Sequence, residues 1–422
     1  MRLPDNSPAP AQYLMPQTNR VMPAINPALL VWARETSGLT TEEAARRLGL
    51  KAARGKSPTE RLAALETGAQ VPTRPLLLKI AKQYHRPLLT FYLPSPPHKG
   101  DRGTDFRTLP AALSVTENAL LDALIREVSA RQSMVRAVLE EEDEATPVSF
   151  VGSMQMADGV PALVSSMRHA LHIDLTRLRA EISPEASFSL LREHAEALGV
   201  FVLLIGNLGS HRTAIGVETF RGFALADPVA PFVVVNDQDA KSAWSFSLLH
   251  EMAHLWLGQT GISSARADSG VEQFCNDVAG EFLLPSVELT SLQLGDPSQR
   301  DKLTERVNTF ALDRNVSSSM VAYKLYRTGR IGRDTWQYLS DTFRQHWLDS
   351  RSAAREQARG REGGPSYYVV RRHRVGAALM RVVGRLLASG ALTTTKAGKI
   401  LGVKPQGVQI LLGETTPQQR AA

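Results

Sequence analysis

The segment SAWSFSLLHEMAHLWLG, residues 242–258, places Phe246, Leu249, Ala253 and Leu257 at helical spacing and carries His250-Glu251-Met252-Ala253-His254 within that repeat. Residues four apart on a helix stand one above the other, with Cβ atoms about 5–6 Å apart. Both imidazoles therefore lie on one face and can hold one tetrahedral ion, while Glu251 projects beside them, where a carboxylate can take a proton from water. Catalytic zinc normally keeps three protein ligands and an open position, so a third ligand is required. Our reading assigns it to Glu272, which opens the next predicted helix, VEQFCNDVAGEFLLP, 18 residues after His254. Glu281 is the rival carboxylate but falls on a different face of that helix. Asn276, one turn beyond Glu272, is placed to orient a ligand histidine. The expected cofactor is a single Zn2+ ion.

Around this helix the apolar period changes. VFVLLIG (200–206), FRGFALAD (220–227) and PFVVVND (231–237) are short, β-rich and bounded by Gly, Pro and Asn, which predicts a small antiparallel sheet. A long helix is expected from Ser114 to about Glu144, a pair between Val160 and Gly199, and further helices through about Trp347. Near the N-terminus, Asn26-Pro27 is a cap followed by proline at the first helical position. TEEAARRLGL, SPTERLAALETG and RPLLLKIAKQYH then give three more short helices before the prolines near residue 97. The expected fold class is mainly α with a small antiparallel sheet, joined to a separate all-α module.

With 422 residues the chain is too long for one ordinary core, and about 150 residues per domain gives roughly three parts. We expect a disordered stretch over 1–24, the helical module over 25–97, a linker over 98–113, the domain that carries the histidines over 114–290 and helices packing on it over 291–350. A charged linker over 351–366 and a basic helical region over 367–422 follow. The charge is uneven: residues 1–110 hold 16 Lys/Arg against 8 Asp/Glu and residues 351–422 hold 13 against 3, while the middle is acidic. Such ends can meet a polyanion. The single cysteine, Cys275, cannot form an internal disulfide. No export-type N-terminus and no run of 18 apolar residues occurs, so the expected address is the cytoplasm, without membrane contact.

Two resemblances sharpen this reading. Residues Leu39–Gly49, Leu65-Glu66-Thr67-Gly68, and Pro72-Thr73 with Leu76–Tyr84 resemble the helix-turn-helix domains of the XRE, or phage-repressor-like, family. That resemblance implies DNA contact from the first turn of the third helix, through Ser57, Thr59 and Arg61. The intervening LKAARGKS is longer than the family's tight turn and adds Lys51, Arg54 and Lys56. Secondly, FSLLHEMAHLWLG, VEQFCNDVAGEFLLP, RGF (221–223), PFVVVND and DFRTLP (105–110) resemble the ImmA/IrrE metallo-endopeptidases. The resemblance implies a zincin-like, gluzincin-type α+β peptidase domain with His250, His254 and Glu272 as ligands and Glu251 as catalytic base. Cys275 stands where that family usually has alanine.

The same family implies cleavage of a helix-turn-helix transcriptional repressor and induction of a stress-response or mobile-element regulon. The strand PFVVVND would then be the edge that receives an extended substrate. Tyr323 and Arg327, on the later helix SSSMVAYKLYRTGRI, are candidate donors to the transition state. The competing reading is a DNA-binding transcriptional regulator or antitoxin-like protein whose metallo-domain senses rather than cuts. A purely structural zinc site fits less well, since such sites are usually closed by four ligands.

Overall fold

The computed structural model describes residues 24–97, 115–263, 270–296, 299–359 and 366–413. Expectations for residues 1–23, for the 98–113 linker with its DFRTLP motif and for residues 360–365 fall outside them. The chain divides into two compact units, residues 1–98 and 99–422. No described helix is long and apolar enough to cross a membrane.

The first unit is a bundle of four short helices, α1 (Pro27–Glu35), α2 (Thr41–Arg47), α3 (Pro58–Glu66) and α4 (Arg74–Gln83), closed by a 3-10 turn over Leu88–Tyr92. Its helix starts follow from capping chemistry. Asn26 accepts from the Ala28 amide, and Thr40 with Glu43 and Ser57 with Glu60 form reciprocal capping boxes. Leu30, Ala44, Leu48, Leu62, Leu77 and Phe91 fill the core, and Arg34 clasps Glu66 through two hydrogen bonds of 2.7 and 3.2 Å. The long connection before α3 is a tight turn: Ala53 and Lys56 exchange backbone bonds across Arg54 and Gly55, both at positive φ.

The second unit is organised by a four-stranded sheet of β1 (Phe201–Leu204), β2 (Gly222–Leu225), β3 (Phe232–Val235) and β4 (Gly261–Ser263), in the order β1-β3-β2-β4. Helices α5 (Val115–Glu141), α6 (Val160–Leu171), α7 (Leu175–Arg179) and α8 (Pro184–Ala197) precede β1. Next come α9 (Lys241–Trp256) before β4, and α10 (Gly270–Leu283), α11 (Arg300–Leu312), α12 (Ser318–Arg327) and α13 (Arg333–Arg359) after it. Last are α14 (Tyr367–Val375), α15 (Ala377–Ala388), α16 (Thr394–Leu401) and α17 (Val408–Leu412).

Two expectations about the sheet are corrected. It is mixed rather than antiparallel: β2 pairs antiparallel with β3 and β4, but β1 runs parallel to β3. The long Ile205–Arg221 connection carries the chain past β3 before β2 begins, and a parallel pair needs such a crossover whereas a hairpin does not. PFVVVND is also not an edge. Its strand, β3, is paired on both sides, so its backbone groups are spent within the sheet.

Every residue of β1, β2 and β3 is buried, because the sheet is covered on both faces. Val202, Leu204, Ala224, Val233 and Val235 point into a core shared with α6 and α8–α12. Phe201, Leu203, Phe223, Phe232 and Val234 point into a second core built by α5 and α14–α17. The basic C-terminal helices thus roof the back of the sheet. Arg192 and Glu196 on α8, both buried, fasten them: Arg192 donates to the carbonyls of His373 and Arg374 at the end of α14, and Glu196 accepts from the Ala378 amide at the start of α15.

Candidate metal and catalytic centre

Helix α9 is buried along nearly its whole length from Trp244 onward, and a helix apolar all round belongs in a core. Its end is anchored by Trp256, which stacks on Phe150 at 3.9 Å and donates to Ser166 Oγ at 3.0 Å. The polar residues His250, Glu251 and His254 are therefore carried into the interior, at 2%, 0% and 1% exposure. Burying three such groups without a purpose would be costly.

Helix α10 packs against α9 and brings Glu272, itself buried, to the imidazoles. His250 Nε2 lies 3.2 Å from His254 Nε2, Glu272 Oε2 lies 3.2 Å from His250 Nε2, and Glu272 Oε1 lies 3.2 Å from His254 Nε2. Among the described residues this is the group of His, Cys, Asp and Glu side chains able to share one ion. A tetrahedral zinc with bonds of about 2.0–2.1 Å sets its ligands about 3.4 Å apart. The triangle fits that requirement in spacing and in donor type.

Electrostatics prepare the group. Burial pushes His250 below the ordinary histidine range, although Glu272 and Asn276 favour its charged form. Burial also opposes charge on His254, but hydrogen bonding to Cys275 and Glu272, with Glu251 nearby, raises it well above the ordinary value. Burial resists ionisation of Glu272, yet the two imidazoles overcome it and hold the carboxyl at about 2. A metal binds the deprotonated imidazoles, so it competes with a proton at this site. We expect zinc binding to release a proton and to weaken as pH falls; calorimetry in buffers of different ionisation heat checks this, and an affinity independent of pH would contradict it.

Glu251 is set by a contact that sequence reasoning missed. A Cβ on Gly222 would meet Glu251 Oε1 at 2.7 Å and Val234 O at 2.9 Å, so β2 accepts the carboxylate only because position 222 has no side chain. Asn236, fully buried, holds the approach to that glycine by donating to the carbonyls of Ile215 and Phe220 at 3.1 and 2.9 Å. The sequence signal was present in RGF and VVVND but gave no reason for either residue. Gly222→Ala is expected to cost about 1–3 kcal/mol by overpacking, read as a lowered urea midpoint; an unchanged midpoint would show that the strand gives way.

Residues 209–326 match the IrrE N-terminal-like domain, a peptidase M78 family model. The matched segment runs from the loop before β2 through most of α12, and so contains Gly222, Glu251, both histidines and Glu272. It supports a metallopeptidase type of activity for this part of the chain. No curated protein and no solved structure matches the chain.

Asn276 touches His250 and also lines a neighbouring cavity of about 610 Å³. Tyr323 and Arg327 line that same cavity, whose wall includes none of His250, Glu251, His254 or Glu272. Arg327 is held by Asp277 at 2.7 Å, and Tyr323 meets Trp336 edge-on. Glu281, the rival ligand, bonds Lys324 Nζ and the Ser286 amide instead. In the first unit Ser57 caps α3 and meets the Thr59 hydroxyl at 3.1 Å, while Arg61 donates to the Lys51 carbonyl at 2.6 Å.

Proposed function

We propose that the chain is a zinc-dependent, site-specific endopeptidase that cleaves a helix-turn-helix transcriptional repressor and so induces a stress-response or mobile-element regulon. The observation that carries the peptidase part is the convergence of two imidazoles and a carboxylate from a second helix beside a buried second carboxylate, Glu251. Held by His250, His254 and Glu272, a zinc ion would supply Lewis-acid polarisation of the scissile carbonyl. Glu251 takes the proton of the attacking water and passes it to the leaving amine. Burial keeps bulk water from competing for that carboxylate, and Gly222 fixes its approach.

An extended substrate in this reading adds to β4, which ends the sheet beyond β2. Tyr323 and Arg327 line the neighbouring cavity, and Arg327 is paired there with Asp277. The repressor as substrate follows from the resemblance to the ImmA/IrrE enzymes, and it is tested by incubating the zinc-loaded chain with a helix-turn-helix repressor encoded beside it. A single cut, mapped by mass spectrometry and abolished by a chelator, is the expected result; an intact repressor overturns the assignment.

A second reading, a DNA-binding regulator whose metal domain senses, is favoured by one feature of the first unit. Arg46, Arg47, Lys51, Arg54 and Lys56 are all exposed there. Binding of duplex DNA that weakens steeply with salt, together with zinc loading and no proteolysis, would select it over the peptidase.

A further inference from the structure

The cavity beside the metal triad lies between α6, α10 and α12. Its wall includes Asn276, which stands one helical turn after Glu272 and also touches His250. A turn of helix rises about 5.4 Å, so the cavity begins within a side chain's length of the site where a bond would be cut. It reaches solvent past the exposed Pro161 and Arg327.

Charge in the wall is arranged in a particular way. Asp277 is paired with Arg327, and Glu281 with the buried Lys324 at 2.6 Å. Each carboxylate therefore has its own cation. Arg168 is the third cation, and its Nη2 is turned to the carbonyls of Glu281 and Phe282 at 3.3 and 2.9 Å. Its Nε is buried without a hydrogen-bond partner. Three cations facing two neutralised carboxylates favour an incoming anion and oppose an incoming ammonium. Gly280 lines the cavity beside Lys324, where a Cβ would lie in ordinary contact, 3.4 Å from Lys324 Cδ, so a larger side chain there would take up cavity space.

We propose that this cavity is the pocket for the substrate residue next to the cleaved bond, and that it selects an acidic side chain, whose carboxylate Arg168 receives. The inference rests on the peptidase reading but is tested partly apart from it. A mixed peptide library is digested with the zinc-loaded chain and the cut sites are sequenced by mass spectrometry. Asp and Glu are expected to be enriched at one position flanking the cut. Arg168→Gln should lower kcat/KM for acidic peptides about tenfold or more, mainly through KM, since a charge-assisted hydrogen bond is lost. Gly280→Leu, which fills the pocket, should abolish the preference while zinc content stays the same.

Cleavage without acidic preference, or a preference that neither variant moves, overturns the pocket. If the wild-type chain binds zinc and cuts nothing, the peptidase reading fails by itself. Calorimetry then decides the pocket on zinc-loaded Glu251→Gln protein, comparing N-acetylglutamate amide with N-acetylglutamine amide. Tighter binding of the glutamate probe, lost in Gly280→Leu, upholds the anion pocket, whereas equal binding or none overturns it.

Discussion

Glu251→Gln is expected to retain zinc at the wild-type level and to lose about 10²–10⁴-fold in cleavage rate, the usual contribution of a positioned general base. That loss corresponds to about 3–5 kcal/mol of barrier. The substitution preserves volume, which matters because residue 251 has no exposure and lies against Gly222. The ligand triangle is formed by other residues, so metal content separates a chemical role from a structural one. Metal analysis by mass spectrometry and a timed cleavage gel make the measurement. Undiminished cleavage would remove Glu251 from the mechanism, and loss of zinc would make it a structural partner of the ligands.

Arg192→Met is expected to destabilise the second unit by about 3–5 kcal/mol, the cost of stranding one member of a buried ion pair. Arg192 Nε lies 3.0 Å from Glu196 Oε1, and the guanidinium also serves the carbonyls of Val202, His373 and Arg374. Burial lowers the arginine's own pKa, while Glu196 opposes that shift. Its removal leaves Glu196 buried with the Ala378 amide still donating to it. The cation sits where a helix ends and the anion where the next begins, as the helix dipole favours. The C-terminal helices should accordingly become the first segment released by limited proteolysis. Urea unfolding gives the energy, and the double variant Arg192→Met with Glu196→Leu should recover part of it, since an apolar pair can replace a buried ionic one. A single-variant cost below about 1 kcal/mol would show that water reaches the pair.

Much of the local structure was legible because it depends on neighbours in sequence. Asn26, Thr40 and Ser57 cap helices where the chain places them, since a cap needs only the following three residues. The histidine pair was legible for the same reason: spacing of four puts both rings on one face of α9. The strands were found as apolar runs, but their pairing was not. Phe201–Leu204 and Phe232–Val235 are both wholly buried, so no alternation marks which is central or which direction each runs. That is why β3 was expected at an edge and the sheet was expected to be antiparallel.

The basic C-terminal stretch shows the same limit at larger scale. Its helices were expected from composition, but their seat on the outer sheet face rests on Arg192 and Glu196, some 180 residues away in the chain. The sequence by itself determined the helix that bears His250, Glu251 and His254, the donor types for a metal, and the capping of the short helices. Glu272 was named from the sequence as the third ligand, but only the tertiary structure brings its carboxylate within 3.2 Å of both imidazoles, lets Gly222 make room for Glu251, and places Asn276 in the wall of a charged cavity. The division has one cause. Helical periodicity is fixed within a few residues, whereas the approach of α10 to α9 and of β2 to Glu251 depends on side chains packed from distant parts of the chain.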